Sequence, residues 1–134
     1  LYDKALRYAR RENDTLLINK IKSAYINKLK ASVRYFETLS RNTYGSQIPQ
    51  ILLIHANLIN AYMLRGVLEQ LRQMDYTFIT LDQAMENEAY KLEYDFSSPY
   101  GMSWIHRHRK YLQLPNRMRE EPEPPSFIME LQNN

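Results

Sequence analysis

The longest uninterrupted stretch of helix-forming residues constrains this chain most. From Thr15 to Arg41 there is no proline and no glycine, the two residues that most often break a helix. Lysines and an arginine occupy much of one side of this stretch. Apolar side chains recur at steps of three or four, which places them together on the other face of a helix: Ile18, Ile21, Tyr25, Leu29, Val33 and Phe36. The pattern predicts one long amphipathic α-helix.

A shorter helix is predicted ahead of it, so residues 1–45 form a region of two helices. Leu1–Arg11 is rich in good helix formers. Asn13 or Asp14 is suited to end this helix and to cap the long one. The turn-forming residues around Gly45 end the second helix. Because the sequence begins at Leu1 inside a predicted helix, we expect that further residues precede it in the full protein.

Residues 46–114 follow a different pattern. Ile51–Ile54 is a short apolar run that ends at His55, as expected for a strand covered on both faces. Tyr76–Thr80 is β-branched and aromatic and predicts a second strand. A helix between the two is marked by Val67, Leu68, Leu71 and Met74, with Asn57 and Asn60 as candidate caps at its start. The order of strand, helix and strand predicts parallel strands in a βαβ unit, and therefore an α/β fold class.

The remaining elements are short. Leu81–Tyr90 predicts a short helix, in which Asp82 is a helix cap in preference to a catalytic carboxylate. A further short helix is expected around Trp104, whose indole either stacks on a sugar ring or packs against the chain end. Four prolines make residues 115–134 a Pro-rich tail, expected to be a loop or an extended arm.

Composition excludes several classes of chemistry. The absence of cysteine excludes disulfides, thiolate nucleophiles and cysteine-bound metals. The net charge of +3 is small and gives little support for nucleic-acid binding. The densest basic cluster, His106–Lys110, is interpreted as a solvated segment, with a phosphate-binding patch as its alternative. No apolar run approaches the roughly 20 residues that span a bilayer.

His55 is the residue with the clearest chemical potential. It would lie at the C-terminal end of a buried strand, where the sites of parallel α/β folds collect. A histidine there serves as a general acid, a general base or a metal ligand. The alternative is a structural histidine that makes a hydrogen bond at the strand end, and position alone leaves both open.

A longer string around His55 resembles the last catalytic motif of the NodB-like polysaccharide deacetylase family. In that family a hydrophobic strand ends in Leu-x-His, which matches Leu53-Ile54-His55, and several members continue with Ala-Asn and then Asn-Ala, as here. Arg72–Ala84 is similar to the family's final helix, strand and Asp-x-Ala turn. Gly101–Arg107 is similar to a terminal segment of one subgroup, and residues 1–45 resemble an insertion that its members carry.

The resemblance implies a fold, a reaction and site residues. The fold would be the C-terminal part of a distorted (β/α) barrel with a long helical insertion. The reaction would be hydrolysis of the amide C–N bond of an N-acetylhexosamine polymer, with a divalent metal, usually zinc, activating the water. His55 would be the general acid, Leu53 would line the pocket for the acetyl methyl group, and Trp104 is the candidate for sugar stacking. The substrates of the family imply a periplasmic or extracellular location.

Several parts of the family's active site are missing from this sequence. It has no Asp-Asp pair and no His-x-x-x-His, so the metal triad and the catalytic base are absent. The motif with Asp and Trp that orients the acid histidine is also absent, and Ala56 stands where many members have Asp. His106 and His108 have no acidic neighbour in sequence and are interpreted as surface or packing residues, not as metal ligands.

The sequence therefore predicts an enzyme fragment that binds no metal and is inactive by itself. Its activity would need the missing N-terminal part of the same protein or another chain, together with a carbohydrate polymer as substrate. The competing hypothesis is a non-catalytic interaction module, in which the long helical hairpin binds a partner or another copy of the chain and the α/β part is a scaffold. This module would fold alone and have His55 buried and hydrogen-bonded. Nucleic-acid binding is a third hypothesis that rests on the charge alone.

Overall fold

The computed structural model describes residues 1–92 and 101–131, and every regular element in these ranges is helical. Two single turns of 3₁₀ helix lie at Glu88–Tyr90 and Met118–Glu120. The α-helices are α1 (Tyr2–Arg11), α2 (Thr15–Tyr44), α3 (Leu58–Gln73), α4 (Leu81–Met85), α5 (Trp104–Tyr111) and α6 (Ser126–Glu130). None of these helices is both long and apolar enough to cross a lipid bilayer.

The helices predicted from periodicity are confirmed. At the start of α2, the Asp14 carboxylate accepts a hydrogen bond from the Leu17 backbone N–H at 2.9 Å, which is the expected cap. Asn13 turns the chain between α1 and α2 with φ of 55°, a left-handed conformation that asparagine tolerates better than most residues. Periodicity and capping signals therefore located these elements correctly.

The predicted cap at Asp82 was wrong. The N-cap of α4 is Thr80, whose hydroxyl accepts from the Gln83 N–H while the Gln83 side chain accepts from the Thr80 N–H. This reciprocal pair is a capping box, and it leaves Asp82 in the first turn of the helix. The carboxylate still favours the helix there, because the N-terminal end of a helix carries partial positive charge.

The predicted α/β architecture was also wrong. Ile51–Ile54 and Tyr76–Thr80, the expected strands, have no regular secondary structure. A helix closes its backbone hydrogen bonds within itself, whereas a strand needs a neighbouring strand for them. An apolar composition suits burial but does not provide that partner. Across residues 1–92 and 101–131 there is consequently no sheet, no βαβ unit and no barrel.

The chain divides into two compact units, whose segments alternate along the sequence. The first comprises residues 1–32, 53–77 and 122–134, and its core joins four helices. Within this unit Asp3 joins α1 to the start of α3, since its carboxylate accepts from the Ile59 N–H at 3.1 Å. The buried side chains of this core are Tyr2, Ala5, Leu6 and Ala9 of α1, Ile21 and Ala24 of α2, Ile59 of α3 and Ile128 of α6.

The position of Ile128 corrects the expectation for the chain end. The Pro-rich segment was expected to be a loop or an extended arm, yet it contains α6, and Ile128 is completely buried in the first core. The three prolines of residues 122–125 precede the helix, so they do not interrupt its hydrogen bonds. Helix α6 thus contributes directly to the packing of the first unit.

The second unit comprises residues 33–52 and 78–121. Ser40, fully buried on α2, donates to the Ser46 carbonyl and accepts from the Ile48 N–H, both at 3.1 Å. The Tyr90 hydroxyl donates to the Pro49 carbonyl at 2.6 Å. These bonds satisfy polar groups around a smaller apolar core formed by Leu39, Ile48, Ala89, Tyr90 and Ile105.

Candidate functional site

His55 lies on the irregular connection between α2 and α3, two residues before the cap of α3. Its side chain is exposed. Its backbone carbonyl accepts two hydrogen bonds, from the Asn57 N–H and from the Asn60 side-chain amide, each at 2.9 Å. The backbone is therefore anchored while the imidazole remains accessible, an arrangement that suits proton exchange with a bound molecule.

Two asparagines at the start of α3 form this anchor. Of the two candidate caps, Asn57 is the N-cap of α3, and its side-chain oxygen accepts from the Asn60 N–H at 3.2 Å. The Asn60 side-chain oxygen in turn accepts from the Tyr25 hydroxyl of α2. The anchor of His55 is thus connected to the long helix of the first unit.

Leu53, the predicted wall of an acetyl pocket, is 81% exposed. The other apolar residues of the run Ile51–Ile54 are between 37% and 47% exposed. Phe78, Ile79 and Leu81, in and directly after the second predicted strand, are exposed to a similar degree. Large apolar side chains in consecutive positions are rarely left in water, and such surface commonly marks an interaction site.

Trp104 begins α5 and belongs to the second unit, whereas Leu53 and His55 belong to the first. Its ring meets Tyr90 and His108 edge to face, with centroids 5.8 Å and 6.1 Å apart. The indole is 38% exposed, so part of its surface remains open to a ligand. These ring contacts agree with the interpretation of Trp104 as a packing residue. Sugar stacking on Trp104 stays a prediction.

The interpretation of His106–Lys110 as a solvated segment was wrong for three of its residues. His106, His108 and Arg109 of α5 are buried in the second unit. The Arg109 guanidinium donates to the Thr43 hydroxyl and to the Pro115 carbonyl, both at 2.9 Å. The His108 Nδ1 is hydrogen-bonded to the Tyr44 hydroxyl. These contacts make the three side chains part of the packing of the second unit.

His106 is held between Tyr35 and Glu121. The Tyr35 hydroxyl donates to the Arg117 carbonyl at 2.7 Å, so it accepts from His106 Nε2, 3.3 Å away. The same Nε2 lies 2.8 Å from the Glu121 carboxylate. Burial lowers the pKa of His106 although Glu121 opposes that shift. Because the Tyr35 and Glu121 oxygens both accept from it, Nε2 carries a proton.

No group of three histidine, aspartate or glutamate side chains among the described residues is arranged to hold a metal ion. His106 and His108 are taken up by the packing contacts of α5. A zinc site with protein ligands requires at least three such side chains in most catalytic centres. The described residues consequently do not fit a catalytic zinc, and no chemical step is assigned to a metal in this chain.

A cleft of about 620 Å³ lies in the first unit, and His55 is not among the residues that line it. Lys20, Ala24 and Lys28 of α2 form one wall and Pro122 and Phe127 form the other. The Lys20 ammonium lies 4.2 Å from the centre of the Phe127 ring. None of the three predicted site residues lines this cleft, so it does not contribute to the candidate site.

Sequence reasoning identified Asn57 as a cap but missed the roles of Asn60 and Tyr25 beside His55. Asn60 was a candidate cap, and Tyr25 was one member of the apolar stripe of α2. Only the spacing of Asn60, three residues after the cap, indicated that its side chain faces back toward the start of the helix. The contact with Tyr25 joins residues 35 positions apart and has no local signal.

Comparisons with known proteins found no matching family model, no matching curated protein and no matching solved structure.

Proposed function

We propose that this chain belongs to a polysaccharide deacetylase-like hydrolase and supplies its general acid, His55. One observation carries the proposal: the ring of His55 is exposed and directly follows an exposed apolar run, while its backbone is anchored to α3. A histidine kept only for packing would have its ring covered. The non-catalytic module predicts a buried and bonded His55, which is the opposite arrangement.

The proposed reaction requires a proton at one point. Water gives a proton to the catalytic base as its oxygen adds to the carbonyl carbon of an N-acetyl group, and the C–N bond then breaks. The leaving nitrogen must gain a proton as that bond breaks, because an amine anion is too basic to depart. The imidazolium of His55 donates this proton and becomes neutral, and the products are a free amine and acetate. General acid catalysis of this kind contributes roughly 10²–10⁴-fold in rate.

The substrate class in this proposal is an N-acetylhexosamine polymer. Leu53 lies two residues before His55, and its exposed side chain is available as one wall of a pocket for the acetyl methyl group. A sugar ring of the substrate would stack on Trp104, a residue that is 38% exposed. Because such polymers are found outside the cytoplasm, we also propose a periplasmic or extracellular location.

The metal and the catalytic base in this proposal come from outside residues 1–134. This sequence has neither the Asp-Asp pair nor the His-x-x-x-His of the family it resembles. We therefore propose that an upstream part of the same protein holds the zinc and covers the exposed run Ile51–Ile54. Burying that run would stabilise the association by roughly 25 cal/mol for each Å² of apolar surface removed from water.

Acetate release tests this proposal. The gene product that includes the upstream coding sequence is expected to release acetate from an N-acetylglucosamine oligomer, and His55→Ala should lower the rate by roughly 10²–10⁴-fold. The zinc content of the variant should equal that of the parent, because His55 is an acid and not a ligand. Arg65→Ala is a suitable control, since Arg65 is an exposed residue of α3 in the same unit.

Two results would contradict the proposal. One is an upstream sequence that lacks the two metal motifs. The other is an active enzyme whose rate is unchanged in His55→Ala. A chain of 16.1 kDa that is monomeric, folded and unable to release acetate would instead support the non-catalytic interaction module.

A further inference from the structure

The carbonyl of His55 accepts a hydrogen bond from the Asn60 side chain, which is itself oriented by Tyr25. The Asn60 amide donates to this carbonyl at 2.9 Å through Nδ2, which leaves Oδ1 pointing the other way along the amide plane. That oxygen accepts from the Tyr25 hydroxyl. Because an asparagine side chain offers one acceptor end and one donor end, the tyrosine selects the amide orientation that places the donor toward His55.

Tyr25 is well held for this purpose. Its ring meets the Tyr2 ring edge to face, with centroids 5.2 Å apart. Tyr2 in turn donates its hydroxyl to the Ala24 carbonyl at 3.3 Å. Burial raises the pKa of Tyr25, so its hydroxyl keeps its proton at neutral pH and remains a donor. The orienting group is therefore attached to the core of the first unit.

From this geometry we infer that Tyr25 and Asn60 are positioning residues for His55. The inference rests on the proposed function, in which His55 is the general acid. A general acid acts only within hydrogen-bond reach of the atom it protonates. A displacement of about 1 Å costs up to roughly 10²-fold in rate. Removing the Tyr25 hydroxyl leaves the imidazole and the bond from the Asn57 N–H intact, but the Asn60 amide is no longer held with its donor toward the His55 carbonyl.

Kinetics of the complete enzyme provide the first test. Tyr25→Phe is expected to lower kcat for acetate release by roughly 10-fold with little change in KM, because substrate contacts are retained. Asn60→Asp is expected to do the same, since it keeps the acceptor for Tyr25 and loses the donor toward His55. Tyr62→Phe serves as the matched control, because Tyr62 lies on α3 with an exposed ring that phenylalanine reproduces.

A double variant separates positioning from general stability. Tyr25→Phe is expected to have no further effect in an enzyme that already carries His55→Ala, because there is no longer an acid to position. A purely structural role would lower the rate by the same factor in both backgrounds. Equal losses would therefore overturn the inference while leaving the role of His55 intact.

Nuclear spin relaxation of residues 1–134 supplies a readout that needs no activity. The backbone order parameters of His55 and Ala56 should fall from about 0.85, typical of rigid backbone, to below about 0.6 in Tyr25→Phe. Unchanged order parameters would overturn the inference whatever the kinetics show. If the parent enzyme releases no acetate, the proposed function fails, and the order parameters decide separately whether Tyr25 and Asn60 position His55.

Discussion

At the scale of single residues, the histidines of α5 and the histidine before α3 occupy opposite environments. His106 and His108 are buried, and burial lowers the pKa of each. The groups that face His106 are Tyr35, Glu121 and Arg109, and of these only Glu121 raises its pKa. His55 is exposed, with its backbone anchored. The chemistry available to a histidine in this chain therefore depends on its surroundings and not on its position in a motif.

The buried histidines predict a loss of stability in mild acid. A pKa lowered below the usual 6.5 means that the unfolded chain binds protons more readily than the folded chain. The contribution of these two histidines to the stability of the fold is then fully present above about pH 6.5, and it is lost as the pH falls below that value. We expect Tm to be lower at pH 5.5 than at pH 7.5, a window in which ordinary carboxylates stay ionised.

His106→Gln provides the matched variant for this measurement. Glutamine places a donor nitrogen close to the position of Nε2, so the contacts with Tyr35 and Glu121 are kept while the titration is removed. The decrease of Tm between pH 7.5 and 5.5 should be smaller in this variant. A Tm that is constant or rises toward pH 5.5 in the parent protein would contradict the lowering of the pKa of the two histidines by burial.

At the scale of elements, helix boundaries in this chain are set by short polar signals. Asp14 caps α2, Asn57 caps α3 and Thr80 caps α4, each through a side-chain oxygen that accepts from a backbone N–H at the helix start. Each bond satisfies a donor that the helix itself leaves without a partner. The corresponding signals are local in sequence, and this is why the starts of α2 and α3 were predictable.

Asp14→Ala tests the cap of the long helix. In the parent chain the Leu17 N–H donates to the Asp14 carboxylate at 2.9 Å. The variant leaves this N–H without its acceptor, which should lower the free energy of unfolding by about 1 kcal/mol. Urea denaturation measures this change as a lower midpoint. Asp14→Asn is the control, because asparagine caps helices about as well as aspartate. Equal losses in both variants would show that the charge, and not the cap, stabilises the helix.

At the scale of the whole molecule, the chain forms two compact units with separate cores. The first core gathers α1, the first part of α2, α3 and α6, although these segments are far apart in sequence. Small residues such as Ala5, Ala9 and Ala24 lie fully or almost fully buried among larger ones in this core. Small side chains let helices approach closely, so the core depends on the few large residues that fill the remaining volume.

Leu6→Ala tests the first core. Leu6 is 1% exposed, and truncating such a side chain leaves a cavity that costs roughly 2–5 kcal/mol of stability. Leu16→Ala is the matched control, because Leu16 is 83% exposed and its loss should change stability by less than about 0.5 kcal/mol. Chemical denaturation of both variants measures the difference. Similar losses at the two positions would contradict the packing described for α1.

The sequence by itself determined the three longest helices of this protein, α1, α2 and α3. The spacing of Ile18, Ile21 and Tyr25 and the caps at Asp14 and Asn57 act through contacts within a few residues, so they can be read without knowledge of the fold. Part of the candidate site was predictable in the same way. His55 follows an apolar run, and the cap that anchors its backbone is two residues further on.

Only the tertiary structure decided how distant residues meet. A strand needs a partner, and an apolar run does not specify one, so Ile51–Ile54 remains irregular and exposed where a strand was predicted. A basic side chain is buried only where other elements cover and satisfy it, as Thr43 and Pro115 do for Arg109. The contact of Tyr25 with Asn60 likewise depends on the packing of α2 against α3, which no local pattern encodes.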